Sequence, residues 1–284
     1  MMGFNLGKLL QRILTIVFYV PIVLTALYLG ELPFFIAVLL VAFVSLEEMY
    51  NMYNIRFKKS HDSFFYGYIF CALWLLSVYM QETRYVWENY LLFILSGLWI
   101  GFLSFELCQK KIFFLKNPAL YLLRSLLYIS LMYTHVLLLR ADPYGFEYCL
   151  YLFFVVSAND VFAYLVGIPF GRHKLSRTIS PQKSLEGALG GVLGGVIASL
   201  VLYWLAKIYL DFPFHFWQAV GLGAGIAVLA QLGDLIESLL KRALAAKDFG
   251  RLLPGHGGIL DRMDSFVLTF PLFYYFIVYF IRTS

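Results

Sequence analysis

Five carboxylates interrupt stretches of this chain that are otherwise apolar. Asp160 follows Asn159 inside one such stretch, Asp234 and Glu237 lie inside a later one, and Asp261 and Asp264 open the last. An ionisable side chain is costly in hydrocarbon, so acids in these places are read first as functional. With Asp234 at zero on a helix turning about 100° per residue, Glu237 falls near −60°, Ser238 near +40° and Lys241 near −20°. These four residues therefore form one stripe. Asp261 and Asp264 are three apart and share a helical face as well. If the intervening segment 242–260 folds as a hairpin, the two acidic pairs meet, and they repel unless a cation lies between them. Oxygen-only ligands suit Mg²⁺, which commonly takes one or two carboxylates together with substrate phosphates.

The segment joining the pairs runs Lys247-Asp248-Phe249-Gly250-Arg251-Leu252-Leu253-Pro254-Gly255-His256-Gly257-Gly258. Its glycines allow backbone to approach a ligand closely. With Arg262 it supplies three cationic side chains and one histidine, a combination that suits a polyphosphate. A second cationic stretch, Arg172-His173-Lys174 through Ser180-Pro181-Gln182-Lys183-Ser184, reads as a second wall on the same side.

The elements that must carry these residues are membrane spans. Of 284 residues, 61% are hydrophobic and only 14% charged. Soluble domains hold about 45–50% apolar and about 25% charged residues. That excludes an ordinary cytosolic globule, a disordered chain and a nucleic-acid binder. A spanning helix needs roughly 20 mostly apolar residues. Nine candidates follow, near 13–30, 33–50, 64–80, 89–105, 119–139, 146–169, 187–208, 216–240 and 265–282. The first is read as a retained helix, because no small-x-small cleavage site follows it. With the N-terminus inside, 17 of the 22 Lys and Arg fall in cytoplasmic segments, and Arg84, Arg140, Lys207 and Arg282 fall outside. Positive loops stay cytoplasmic, so this split sets the orientation and accounts for most of the +5 net charge. The expected fold is an all-α polytopic membrane protein with about nine helices.

Residues 1–140 read as a scaffold of apolar helices and 141–284 as the catalytic region. Glu47, Glu48, Asp62 and Glu106 are read as solvated span ends, and Arg124 as snorkelling from a span end. Gly187, Gly191 and Gly195 repeat every four residues, as do Gly221 and Gly225, a spacing that lets membrane helices pack closely. Cys71, Cys108 and Cys149 show neither disulfide-framework nor metal-ligand spacing and read as apolar packing residues.

The run Ser238-x-Leu240-Lys241-Arg242-x4-Lys247-Asp248-x-Gly250-x2-Leu253-Pro254-x-His256-Gly257-Gly258-Ile259-x-Asp261-Arg262-Met263-Asp264 resembles the motif of the phosphatidate cytidylyltransferase (CDP-diacylglycerol synthase) family. Asn159-Asp160 and Ser180-Pro181-x-Lys183-x-x-Glu186-Gly187 resemble a second block of that family. Here Gln182, Ser184 and Leu185 stand for the usual Lys, Thr and Trp, and Val161-Phe162 for Thr-Gly. The first half matches only as hydrophobic spans.

The resemblance implies transfer of the cytidylyl group of CTP to phosphatidate, giving CDP-diacylglycerol and pyrophosphate, with Mg²⁺ and room for a second cation such as K⁺. By that resemblance Asp234, Asp261 and Asp264 hold the metal. Lys241, Arg242, Lys247, Asp248, His256 and Arg262 form the catalytic set, the cationic members neutralising phosphate charge. Asn159, Asp160, Ser180, Lys183, Glu186, Ser238, Gly257 and Gly258 are the expected substrate-binding residues. The expected partners are CTP, phosphatidate and the bilayer, without nucleic acid, and a homodimer stays open. The compact build points to a bacterial inner membrane with the site facing the cytoplasm. Three rivals make different predictions. A transporter would show related polar interruptions in two halves. A CDP-alcohol phosphotransferase would carry an Asp-Gly-x2-Ala-Arg run, which this sequence lacks. A CTP-dependent lipid kinase would transfer the γ rather than the α phosphorus.

Overall fold

The computed structural model describes residues 21–58, 62–81, 86–113, 115–209, 215–250, 252 and 257–281. Helices α1 (Glu31–Phe57), α2 (Ser63–Tyr79) and α3 (Val86–Gln109) come first. Next is a continuous rod of α4 (Pro118–Leu126), a π-helical turn (Leu127–Leu131) and α5 (Met132–Arg140). Helix α6 (Gly145–Phe170) leads into a two-stranded hairpin, β1 (Lys174–Ser176) and β2 (Ser180–Ser184). Helices α7 (Leu185–Tyr209) and α8 (Phe216–Ala243) follow. The last rod is α9 (Leu260–Val267), α10 (Thr269–Phe276) and a π-helical turn (Ile277–Ile281).

Among the described residues seven of these rods are long and apolar enough to cross a membrane, and Phe64–Tyr79 is a shorter apolar helix. This is an all-α polytopic membrane protein. Of the first expected span, near 13–30, residues 13–20 lie outside the described residues and 21–29 are helical. The ninth begins earlier than expected: Asp261 lies in the first turn of α9, so the motif's last acids are helical residues.

The chain forms two compact units, each built from three segments. One comprises residues 1–83, 113–146 and 240–263, the other 84–112, 147–239 and 264–284. In the first unit an aromatic core joins α1, α2 and α4. Tyr50 stacks on Phe64 with ring centroids 4.4 Å apart, and Tyr53 meets Tyr121 at 4.4 Å. Buried phenols need partners. The Tyr121 hydroxyl donates to the Met49 carbonyl at 3.0 Å, and that of Tyr53 to the Lys116 carbonyl at 3.1 Å. Helix α4 starts with Pro118 behind Asn117, whose Oδ1 accepts from the amides of Ala119 (3.0 Å) and Leu120 (3.3 Å). This is the expected N-terminal chemistry, since proline lacks an N–H that the first turn cannot use.

In the second unit α7 and α8 meet along their small residues. A Cβ on Gly223 would lie 2.6 Å from Ser199 Cβ and 2.9 Å from the Gly195 carbonyl, so α7 meets α8 at a glycine outside the Gly221/Gly225 repeat, and Gly221 itself has open space around it. The hairpin pairs Lys174 with Ser184 and Ser176 with Ser180. Cys71, Cys108 and Cys149 are free thiols.

Candidate active site

Helix α8 ends in a way that launches the motif loop. Ala245 takes a left-handed φ of 57°. Its amide bonds to the Arg242 carbonyl at 3.0 Å, and the Ala246 amide bonds to the Lys241 carbonyl at 2.8 Å. This is a Schellman termination, which satisfies carbonyls that a helix end would leave orphaned. Phe249, buried against the first unit, anchors the chain just beyond it.

Asp261 gathers that loop. Its Oδ2 accepts from the Gly258 amide at 2.8 Å and the Phe249 amide at 3.0 Å. Its Oδ1 accepts from Lys241 Nζ at 3.1 Å and from the Phe249 amide at 3.2 Å. The same ammonium lies 6.0 Å from the Phe249 ring centroid. Gly257 has φ +87°, and a Cβ there would lie 2.8 Å from Asp261 Oδ2, so conformation and space both require glycine. Gly257 and Gly258, expected to line substrate, pack against carboxylates, and the Gly258 amide is engaged by Asp261.

Glu48 of α1 completes this group. It is 6% exposed, and Glu106 of α3 is 1% exposed, which corrects the reading of both as solvated span ends. Glu48 Oε1 accepts from the Ile259 amide at 3.0 Å and Oε2 from the Leu260 amide at 2.9 Å. Arg124, read as snorkelling, is likewise buried.

A second group forms in the other unit. Lys183 of β2 is ion-paired with Asp234 of α8, and Ser238 donates to Asp234 Oδ1 at 3.3 Å. Gln231, one turn before Asp234, donates to Asn159 Oδ1 at 2.7 Å and to the Ala188 carbonyl at 3.0 Å. Asn159 in turn donates to Asp160 Oδ1 at 2.9 Å. A Cβ on Gly191 would lie 2.6 Å from Asn159 Oδ1 and 2.7 Å from Gln231 Nε2, so this glycine makes room for an amide pair as well as for helix packing. Gln231 escaped the sequence reading; its signal was a lone amide one turn from Asp234 in an apolar helix.

The same unit holds Asp264, whose Oδ1 accepts from the Ser265 amide at 2.7 Å. A Cβ on Gly233 would lie 2.3 Å from the Asp264 carbonyl, so α8 and α9 meet backbone to backbone there. Glu186 pins the hairpin. It accepts from the amides of Arg172 (3.1 Å) and His173 (3.2 Å) and pairs with His173 Nδ1 at 2.6 Å. Its carboxylate is thus engaged within the protein, with a quarter of the side chain still exposed. Ser180 opens β2 opposite Ser176.

The outlying cations are exposed: Arg242, whose Nη1 donates to the Ala246 carbonyl at 3.3 Å, Lys247 beside exposed Asp248, and Arg262. His256 lies outside the described residues.

Among the described residues no three Asp, Glu, His or Cys side chains are gathered closely enough to hold a metal. Asp234 and Asp261 are nevertheless each matched to an ammonium group, Lys183 and Lys241. Carboxylate oxygens are the hard donors that suit Mg²⁺, which takes one or two of them and completes its shell with phosphate oxygens.

Residues 10–280 match the Cytidylyltransferase family, so the likeness extends through the apolar first half as well as the motif. A phosphatidate cytidylyltransferase of Staphylococcus saprophyticus is 34% identical over 266 residues, 93% of this chain and 96% of that protein. One of Staphylococcus haemolyticus is 33% identical over 262 residues, 92% and 96% of the two chains. One of Staphylococcus aureus strain COL is 32% identical over 266 residues, again 93% and 96%. Matched along nearly its whole length, with the motif acids and lysines joined as described, the chain belongs to the cytidylyltransferase family.

Proposed function

We propose that this protein transfers the cytidylyl group of CTP to phosphatidate in phospholipid synthesis, at the cytoplasmic face of a bacterial cell membrane. The observation that carries this reading is the identity of 32–34% to phosphatidate cytidylyltransferases over more than nine-tenths of the chain. The ion-paired lysines and aspartates supply the chemistry that fits it.

In the proposed reaction a phosphatidate phosphate oxygen attacks the α-phosphorus of CTP. The new bond is O–Pα, the bond to the bridging β-phosphate oxygen breaks, and pyrophosphate leaves with that electron pair. The attacking phosphate is already largely dianionic near neutral pH, because its second pKa is roughly 6. It needs no general base. Positioning and charge neutralisation dominate phosphoryl transfer of this kind. Asp234, Asp261 and Asp264 are the residues that would hold Mg²⁺, which when bound screens the phosphate charge. Lys183 and Lys241, paired with Asp234 and Asp261 in the structure, would supply positive charge to the phosphates. Arg242, Lys247 and Arg262 are exposed cations that meet the entering nucleotide. Asp160, fixed through Asn159 and Gln231, orients the nucleotide or the lipid headgroup.

The test is pyrophosphate release by purified protein given CTP, Mg²⁺ and phosphatidate in mixed micelles. Release that requires both phosphatidate and CTP supports the reading; release without phosphatidate, or none, refutes it.

A further inference from the structure

We propose that Glu48 is a positioning residue of the motif loop, acting through Asp261. The activity arm of its test rests on the proposed function; the structural arm does not. Glu48 sits inside an apolar helix, where a carboxylate is costly to keep. Its two oxygens take the amides of Ile259 and Leu260, at the amino end of α9, which lack partners within their own helix. A charged acceptor there also opposes the positive end of the helix. The next residue is Asp261, whose oxygens take the amides of Phe249 and Gly258. Two carboxylates from distant parts of the sequence thus hold four amides, and through them the direction in which Asp261 leaves the start of α9.

The loop is shaped around Glu48. A Cβ on Gly250 would lie 2.2 Å from Glu48 Oε1, and one on Gly258 would lie 2.4 Å from both Glu48 oxygens. The carboxylate occupies the space that side chains at 250 and 258 would take. Alanine at 258 therefore evicts it from the Ile259 and Leu260 amides. Loss of Glu48 and addition of that methyl group remove the same interaction, so their effects are coupled.

The experiment compares Glu48→Gln, Glu48→Ala, Gly258→Ala and the Glu48→Ala/Gly258→Ala double variant with the parent. Glu48→Gln keeps the shape and is the arm least prone to misfold. Amide hydrogen exchange over 257–261 should quicken about tenfold to a hundredfold in Glu48→Gln, the loss expected for hydrogen bonds to a charged acceptor. Exchange in α6 and α7 should stay at the parent rate. Turnover should fall by a similar factor, in kcat more than in KM for CTP, and the double variant should be no worse than the poorer single one. Unchanged exchange over 257–261 in Glu48→Gln would overturn the proposal. So would quickened exchange with parental kcat, or fully additive losses in the double variant. If the parent makes no CDP-lipid, the functional reading fails, while the exchange result still decides the role of Glu48.

Discussion

Lys241 Nζ lies 3.1 Å from Asp261 Oδ1, one charge at the carboxy-terminal end of α8 and the other in the first turn of α9. The pair closes the base of the motif loop, and the remaining capacity of Asp261 goes to the amides of Phe249 and Gly258. Asp261 is thus both a charge available to a cation and the clasp that shapes the loop.

That double duty separates the two motif acids. Asp261→Asn places an amide NH₂ among donors and leaves one side of the clasp without an acceptor, a loss of about 1–3 kcal/mol. Asp264→Asn retains an oxygen for the Ser265 amide. Both should lose most cytidylyl transfer. Only Asp261→Asn should lower the thermal unfolding midpoint by several degrees, as read by a thiol-reactive dye or tryptophan fluorescence in detergent. Equal midpoints for the two variants would contradict the clasp.

Gln231→Ala should damage the second group without touching any charge. Asn159, fully buried, would lose the donor to its Oδ1, at a cost of about 1–3 kcal/mol. Asp160 would then be held less firmly through Asn159. Steady-state kinetics should show a substrate KM raised severalfold. Gln231→Glu, which cannot donate to Asn159 Oδ1, should be no better than alanine. Parental KM values in both would detach the amide pair from the site.

The skew of basic residues predicts an orientation that can be tested. In a variant lacking Cys71, Cys108 and Cys149, a cysteine at position 177 or 111 should resist a membrane-impermeant thiol reagent in intact cells, while one at position 84 should react. Labelling at 177 from outside would invert the topology and remove cytosolic CTP as a substrate for this face.

The sequence disclosed some of this directly. Apolar runs of helical length and the skew of lysine and arginine lay out the spans, and the fixed spacing from Ser238 to Asp264 marks the loop that matters. Gly195 packs on Gly223, a glycine outside the Gly221/Gly225 repeat, so the four-residue rhythm marks the contact on α7 but not on α8. Glu48 was hidden because its partners, Ile259 and Leu260, are more than two hundred residues away, and periodicity along one helix says nothing about contacts at that separation. Its signal was a carboxylate in a hydrocarbon-length helix, which the nearby basic segment made look like a wetted span end. The hairpin at 174–184 was hidden for another reason. Its strands are three and five residues long and one contains a proline, so there is no alternation to read. Glu186, expected on motif grounds to bind substrate, also pins the hairpin through the Arg172 and His173 amides, contacts that depend on how the hairpin folds back.

The most direct test of cytidylyl transfer follows the phosphorus. Purified protein in phosphatidate micelles with Mg²⁺ is given CTP labelled at either the α or the γ phosphorus, and the lipid is extracted and counted. Attack at the α-phosphorus predicts that α label enters the lipid in step with pyrophosphate release and that γ label leaves entirely in pyrophosphate. Label entering the lipid from the γ position would identify a CTP-dependent lipid kinase, and no label from either position would remove phosphatidate as the acceptor; either result contradicts the account.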